Sequence, residues 1–393
     1  MKVGWKTKAI GGVCDVVNGG TPKTGIAAYW DGPHQWITPA EMGKRVSPFI
    51  GKTTRTVTDD GLQNSSARLL PPHSVILSSR APIGHLVINT EPMATNQGCK
   101  GLIPSGLIDY KFLFYYLTSI IDLLNDLGTG ATFKELSGSK LKEVPVPLPP
   151  LPEQQRIVGI LDEAFDGIAT AKTNAEKNLQ NARALFESHL QSVFTQRGEG
   201  WVEKKFGEVY EVRDGTHDSP KYHATGYPLI TSKNLKREGL SFDDVKLISE
   251  QDYKKINQRS AVHKGDVLFA MIGTIGNPTL VTVEPDFAIK NVALFKIPSG
   301  QSGAFLKHYL DSGWVISKMV NDAKGTTQKF VGLGYLRDFP VNVPPLTTQL
   351  RTVASLDELS AETQRLESLY QRKLAALDEL KKSLLHQAFS GAL

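Results

Sequence analysis

The chain has 393 residues, 40% of them hydrophobic and 22% charged, with a formal net charge of +5. That apolar content marks a soluble globular chain, long enough for two separate cores. No apolar run approaches the roughly 18–20 residues that cross a bilayer, and Met1-Lys2-Val3-Gly4-Trp5 leads into no signal-peptide core, so no membrane partner is expected.

In chain order, Trp5, Ile10-Gly11-Gly12-Val13, Val16 and Gly19 alternate as a short strand running into a glycine loop. An aromatic stretch follows at Tyr29-Trp30 and Trp36-Ile37, and a buried core role is expected for Trp30 and Trp36. Val75-Ile76-Leu77 reads as a strand closed by the turn Ala81-Pro82-Ile83-Gly84. Phe112-Leu113 and Tyr116-Leu117 mark a short helix, and Gly128-Thr129-Gly130 opens a loop. The Pro-rich segment Pro145-Val146-Pro147-Leu148-Pro149-Pro150 forces an extended entry into what comes next.

From there the period changes. Leu161, Phe165, Ile168, Lys172, Ala175, Leu179, Ala182, Phe186, His189 and Val193 alternate at four- and three-residue spacing, a heptad seam imperfect at Lys172 and His189. A helix of about 40 residues would be some 60 Å long.

The whole pattern then returns about 195 residues later. Pro340-Val341-Asn342-Val343-Pro344-Pro345-Leu346 repeats 145–151, Gln349 matches Gln154, and Leu356-Asp357-Glu358 matches Leu161-Asp162-Glu163. Upstream, Val267-Leu268-Phe269, Ala288-Ile289-Lys290-Asn291 and Phe305-Leu306 with Tyr309-Leu310 echo their counterparts. In the last segment Leu356, Leu359, Leu366, Tyr370, Leu374, Leu377, Leu384 and Ala388 share one side. A period this long is a duplicated domain, not a solenoid repeat. The boundaries read as domain one at 1–150, a central helix at 151–197, domain two at 198–345 and a C-terminal helix at 346–393. The fold class is α+β: two pseudo-twofold domains separated by two long helices. Connectivity requires those helices to pair antiparallel as a coiled coil, holding the domains apart.

Charge is unevenly placed. Residues 1–150 carry 15 basic against 11 acidic side chains and residues 201–345 carry 19 against 16, whereas the helical segments together carry 11 against 13. The excess on the globular parts is compatible with a polyanion. Cys14 and Cys99 are read as two reduced thiols of a cytosolic protein.

Catalytic motifs are missing from the sequence. No Asn/Asp-Pro-Pro-aromatic motif of an adenine methyltransferase occurs, because the Pro-Pro pairs are followed by His73, Leu151 and Leu346. No Walker A loop and no zinc-ligand spacing are present. Pro285-Asp286 is followed by Ala288 where a nuclease site needs its second acid.

The order of these features, in duplicate, resembles the specificity subunit of type I restriction–modification systems across the whole chain. The residues that carry the resemblance are the run 147–158, its echo at 342–353, Ser79-Arg80-Ala81-Pro82-Ile83-Gly84, Asn96-Gln97-Gly98 and the Gly/Thr loops. Repeat two departs from it at Met271-Ile272-Gly273 and at Thr348-Gln349-Leu350-Arg351. The resemblance implies two target recognition domains, each reading half of a split double-stranded DNA target, in a cytoplasmic bacterial or archaeal protein. It implies a non-catalytic subunit that assembles with two modification (methyltransferase) subunits and two restriction/translocase subunits. S-adenosylmethionine, ATP and magnesium are then expected on those partners, with no cofactor in this chain.

Candidate DNA-contacting residues are polar and basic loop positions. In the first domain they are Thr21, Lys23, Arg80, Asn96, Gln97, Thr132 and Lys134. In the second they are Thr216, His217, Ser232, Lys233, Asn234, Lys290, Asn291, Thr327, Gln328 and Lys329. Lys and Arg suit phosphates; Asn, Gln and Arg suit base edges. The loops differ between the repeats while the framework does not, so an asymmetric bipartite target is expected. Exposed helix flanks and the Gln154 and Gln349 turns are the expected partner surface. A competing reading is a coiled-coil scaffold whose two domains bind protein or glycan.

Overall fold

The computed structural model describes residues 4–130, 134–196, 198–236 and 238–393. The chain forms two compact units, residues 1–175 with 373–393, and residues 176–372. Each unit therefore combines one globular domain with one stretch of each long helix.

In the first unit, a five-stranded sheet has the order Cys14–Asn18, Cys99–Pro104, Val75–Ser79, Ile83–Asn89, Phe49–Ile50. All its pairings are antiparallel except the last. A smaller sheet sets Trp30–Ile37 between Arg55–Val57 and Met93–Thr95. The Pro-rich strand Pro145–Leu148 pairs antiparallel with Lys6–Ala9. Helix Tyr110–Ser119 starts at Asp109, whose carboxylate accepts from the Lys111 and Phe112 N–H groups at 2.8 and 3.1 Å. Such a cap satisfies orphan donors of the first turn.

The second unit repeats this plan. A four-stranded antiparallel sheet runs Glu211–Asp214, Val292–Lys296, Val267–Ile272, Thr274–Leu280. A second sheet contains Tyr227–Ile230 beside Ala288–Ile289, and Val202–Lys205 pairs with Pro340–Val343. Helix Gly303–Asp311 is capped by Ser302.

The long helices run Leu151–Thr195 and Leu346–Ser390, each about 68 Å at 1.5 Å per residue. Their pairing is antiparallel in each unit. In the first, Arg156 donates to the Leu393 carbonyl at 2.9 Å, Lys381 lies over the Phe165 ring, and Lys172 pairs with Asp378. In the second, Arg183 meets Glu367 at 3.0 Å. The seam buries Leu161, Ile168, Ala175, Ala182 and Phe186, and half-buries Phe165, Lys172, Leu179 and Val193. His189 is exposed, contrary to the heptad reading. Leu190 is buried in its place, because the stride lengthens to four residues from Phe186 through Leu190 to Phe194 as the helix meets the domain core. On the facing helix Thr363 occupies a buried position, its hydroxyl donating back to the Leu359 and Ser360 carbonyls.

The helix ends belong to the domain cores. Ile157, Val158 and Leu161 join Leu385 and Ala388 in the core of the first unit, with Phe112, Leu113 and Leu117. The C-terminal turns add aromatic contacts. Phe389 packs edge-on against Phe112 and Tyr116 at 5.1 and 5.3 Å. In the second unit Phe194 makes the same contacts with Phe305 and Tyr309 at 5.4 and 5.3 Å.

Gln154 and Gln349 are fully buried, which removes them from the expected partner surface. The Gln154 amide oxygen accepts from Asp109 N–H at 2.8 Å, and its nitrogen donates to the Leu107 and Pro149 carbonyls at 3.0 and 2.8 Å. Gln349 accepts from Ser302 N–H and donates to Gln301 and the Pro344 carbonyl, each at 2.9 Å. These amides tie each long helix to the cap of the short helix beneath it. Both cysteines are free and buried, and burial pushes each thiol up to about 12.

Gln154→Ala leaves a buried N–H and two carbonyls unpaired. We expect a loss of about 2–3 kcal/mol, read by urea denaturation of the full chain; a loss below about 0.5 kcal/mol contradicts the clamp.

Candidate nucleic-acid interface

The glycine loops are built by close backbone approach. A Cβ on Gly19 would lie 2.0 Å from the Asn96 carbonyl oxygen, and one on Gly215 would lie 2.3 Å from that of Ile289. Gly19 and Gly20 N–H groups donate to Cys99 and Thr95 carbonyls, as Gly215 and Thr216 donate to Val292 and Ile289. Asn96 N–H donates to Ile37 and Lys290 N–H to Ile230, both at 2.8 Å. The backbone thus equates Gly20 with Thr216 and Asn96 with Lys290. Trp36, buried as expected, pins the first loop by donating its indole N–H to the Gly20 carbonyl at 2.9 Å.

On this shared frame the side chains differ. In the first unit Thr21 hydrogen-bonds Gln97, and Asn96 donates to Thr21 at 2.9 Å. The same places in the second unit hold His217 and Asn291, whose ring Nδ1 and amide oxygen lie 2.8 Å apart. Lys290 donates to Ser219 at 2.6 Å.

A second pair of equivalent positions lies on the Gly/Thr loops. Arg80 and Thr129 each form a backbone β-bridge to Glu135; Ile272 and Lys324 bridge Phe330 in the same way. An ion pair, Arg80 to Glu135 at 3.6 Å, therefore gives way to the apolar pair Ile272 and Phe330. Lys100, nearly buried, also reaches Glu135 at 3.8 Å, and burial lowers its pKa.

The sequence-selected residues of the first domain converge only in part. Thr21, Asn96 and Gln97 form one cluster, and Arg80 packs on the adjoining Gly98 turn. Lys23 and Lys134 are exposed on flanking loops. Thr132 lies outside the described residues.

In the second domain Ser232, Lys233, Asn234, Asn291 and Gln328 line one groove of about 700 Å³. Thr216 lines a separate hollow of about 300 Å³, and Thr327 and Lys329 are exposed beside Gln328. Asn234 is 5% exposed: its amide oxygen accepts from Thr231 N–H and hydroxyl, and its nitrogen donates to the Ser241 carbonyl. Its polar atoms are committed to the turn, so it shapes the groove and does not read from it. Tyr222, Lys236 and Lys246, not marked by the sequence, line the same groove. Nothing local marks Tyr222 and Lys246, which are brought together by a sheet in which Lys246–Ile248 pairs with both Tyr222–His223 and Tyr227–Ile230.

The family model of the type I restriction modification DNA specificity domain matches residues 2–180 and 198–374. The chain belongs to this family. It is a type I restriction–modification specificity subunit. The MjaIX specificity subunit of Methanocaldococcus jannaschii is 28% identical over 370 residues, 87% of this chain and 83% of that protein. A chain solved in work on complex assembly and conformational transition of the type I R-M system has a TM-score of 0.80 at 18% identity, covering 100% of this chain and 99% of its own. The HsdS subunit from Thermoanaerobacter tengcongensis gives 0.69 at 18% identity, covering 100% and 98%. The fold is thus that of specificity subunits, two α+β specificity domains with two long helices. Among the described residues no helix is long and apolar enough to cross a membrane, and no cluster of three or more His, Cys, Asp or Glu could hold a metal.

Gly19→Ala forces the 18–23 loop off Asn96. We expect about 1–3 kcal/mol of destabilisation confined to the first unit, seen by hydrogen exchange as reduced protection there with the second unit unchanged; unchanged protection at 95–99 contradicts the close approach.

Proposed function

We propose that this chain is the non-catalytic DNA reader of a type I restriction–modification complex, and that its target is asymmetric and bipartite. Each specificity domain reads one half, and modification and restriction subunits carry out adenine methylation and cleavage. S-adenosylmethionine, ATP and magnesium belong on those partners. The observation that supports this reading best is the pairing of shared backbone anchors with different side chains: Gly20, Thr21, Asn96 and Arg80 stand against Thr216, His217, Lys290 and Ile272, and the turn after Lys290 is one residue shorter than that after Asn96. One frame presents base-edge chemistry from the same places, and altering the side chains alters the sequence read.

Phosphate contacts fall to exposed lysines such as Lys23, Lys134, Lys233 and Lys329. They orient the duplex without carrying sequence information.

Two copies of one partner suit the exposed helix flanks. Leu151 and its repeat equivalent Leu346 are 40% and 37% exposed, and Leu185 and its equivalent Leu380 are 53% and 46% exposed. Matched apolar side chains left in water at equivalent places fit the same partner surface docking twice, once on each unit. This supports two modification subunits.

Exchange of residues 1–150 for the corresponding domain of a relative tests the assignment. Methylome sequencing of cells carrying the exchanged chain with its methyltransferase subunits should show one half of the motif replaced and the other kept. Replacement of both halves, or of neither, contradicts one domain per half-site. In the purified methyltransferase complex, Lys134→Ala with Lys329→Ala should weaken binding to all duplexes alike. The slope of log affinity against log salt should fall by roughly 2, about 0.9 for each phosphate no longer neutralised; an unchanged slope contradicts phosphate binding by these lysines. Binding that is equal for all sequences and insensitive to salt would instead favour a scaffold for protein or glycan.

A further inference from the structure

Asp214 ends the strand Glu211–Asp214 and is 5% exposed. Both of its oxygens are engaged. Oδ2 lies 2.8 Å from His217 Nε2, and Oδ1 is held by the Arg259 guanidinium. The other ring nitrogen, His217 Nδ1, is 2.8 Å from the amide oxygen of Asn291.

The donor and acceptor inventory fixes what each group does. An ionised carboxylate only accepts, so Nε2 carries hydrogen. The other ring nitrogen, Nδ1, faces the Asn291 amide oxygen, so that oxygen is turned to the ring. The Asn291 carbonyl is then occupied, and its NH₂ group is what remains. Asn291 has φ 56°, and its N–H donates to the Thr216 carbonyl at 3.1 Å, so its Cα is fixed. It lines the 700 Å³ groove together with Ser232, Lys233 and Gln328.

We propose that Asp214 is a positioning residue for base specificity. Through His217 it turns the Asn291 amide so that its N–H donors face the DNA, and the base read there is guanine. Guanine presents two acceptors, O6 and N7, in the major groove, whereas adenine demands an acceptor as well as a donor from the same amide. The inference rests on the DNA-reading function proposed above. Asp214 and Arg259 also line a hollow with Asp218, Asp252 and Lys255, and Lys290, which precedes Asn291, donates to Ser219. The first domain has no counterpart of this chain of groups, since Asn18, Thr21 and Gln97 stand at the equivalent positions.

The test uses the full chain assembled with its methyltransferase subunits. Motif sequencing gives the half-site read by residues 198–345, and binding to duplexes carrying each base at its guanine positions gives the discrimination. Asp214→Asn should cost about tenfold or more of the guanine-over-adenine preference at one position, the scale of one good base contact, and leave the other half-site unchanged. Asn291→Asp puts an acceptor outward and should move the preference toward cytosine, whose N4 amine donates. Equal weakening of all duplexes by Asp214→Asn would make Asp214 merely structural and overturn the proposal. So would a half-site without guanine, or a preference unmoved by both substitutions. If the motif is bipartite and domain exchange moves one half, those failures touch this inference alone. If the complex shows no sequence preference, the DNA-reading function itself fails.

Discussion

Each domain core is closed by a helix end that the other repeat supplies. Leu385, Ala388 and Phe389 belong to the second repeat by sequence, yet they pack with Phe112, Tyr116 and Leu117 of the first. Phe186, Leu190 and Phe194 of the first repeat close the core around Phe305 and Tyr309 of the second. Burying one such aromatic side chain contributes on the order of 1.5–3 kcal/mol, and each edge-on ring contact about 0.5–1.5 kcal/mol more. The helices therefore cannot slide along one another without unpacking aromatic rings. The buried Gln154 and Gln349 amides add a polar lock at the other helix end, where a shift of even half a turn would orphan three hydrogen-bonding partners.

Between these fixed ends the seam is only partly apolar. Lys172 pairs with Asp378, Arg183 with Glu367, and Thr363 satisfies its own hydroxyl against the helix backbone. Exposed ion pairs of this kind contribute little stability, since solvent screens them. A displaced helix would set Lys172 and Arg183 against different neighbours, a small penalty beside the unpacking at the ends. Register is thus set mainly by the packed ends, and the middle of the seam adds little to it.

Much of this was legible in the sequence because it is periodic or repeated. Heptad spacing located the long helices to within a few residues, and their antiparallel sense followed from connectivity. What stayed hidden was set by tertiary contact. A glutamine after a proline pair reads as a surface turn until the cap of another helix is found opposite its amide. Thr363 reads as a gap in an apolar stripe, and His189 as part of one, because a change of stride near a domain is invisible to a fixed period. Asn234 reads like any polar loop residue, though burial has committed its amide. Asp214 is hidden for the opposite reason: its importance lies in what it holds, not in what it exposes.

The exchange of helix ends also orders events during synthesis. At roughly 5–20 residues per second, the ribosome needs on the order of 10–40 s to go from residue 175 to the residues that cover Phe112 and Tyr116. Throughout that interval the first domain waits with an aromatic face uncovered, although its own strands are complete. A nascent chain of this design is most vulnerable to misassociation early, at the half made first, and a premature stop late in the message would damage the reader encoded at its beginning.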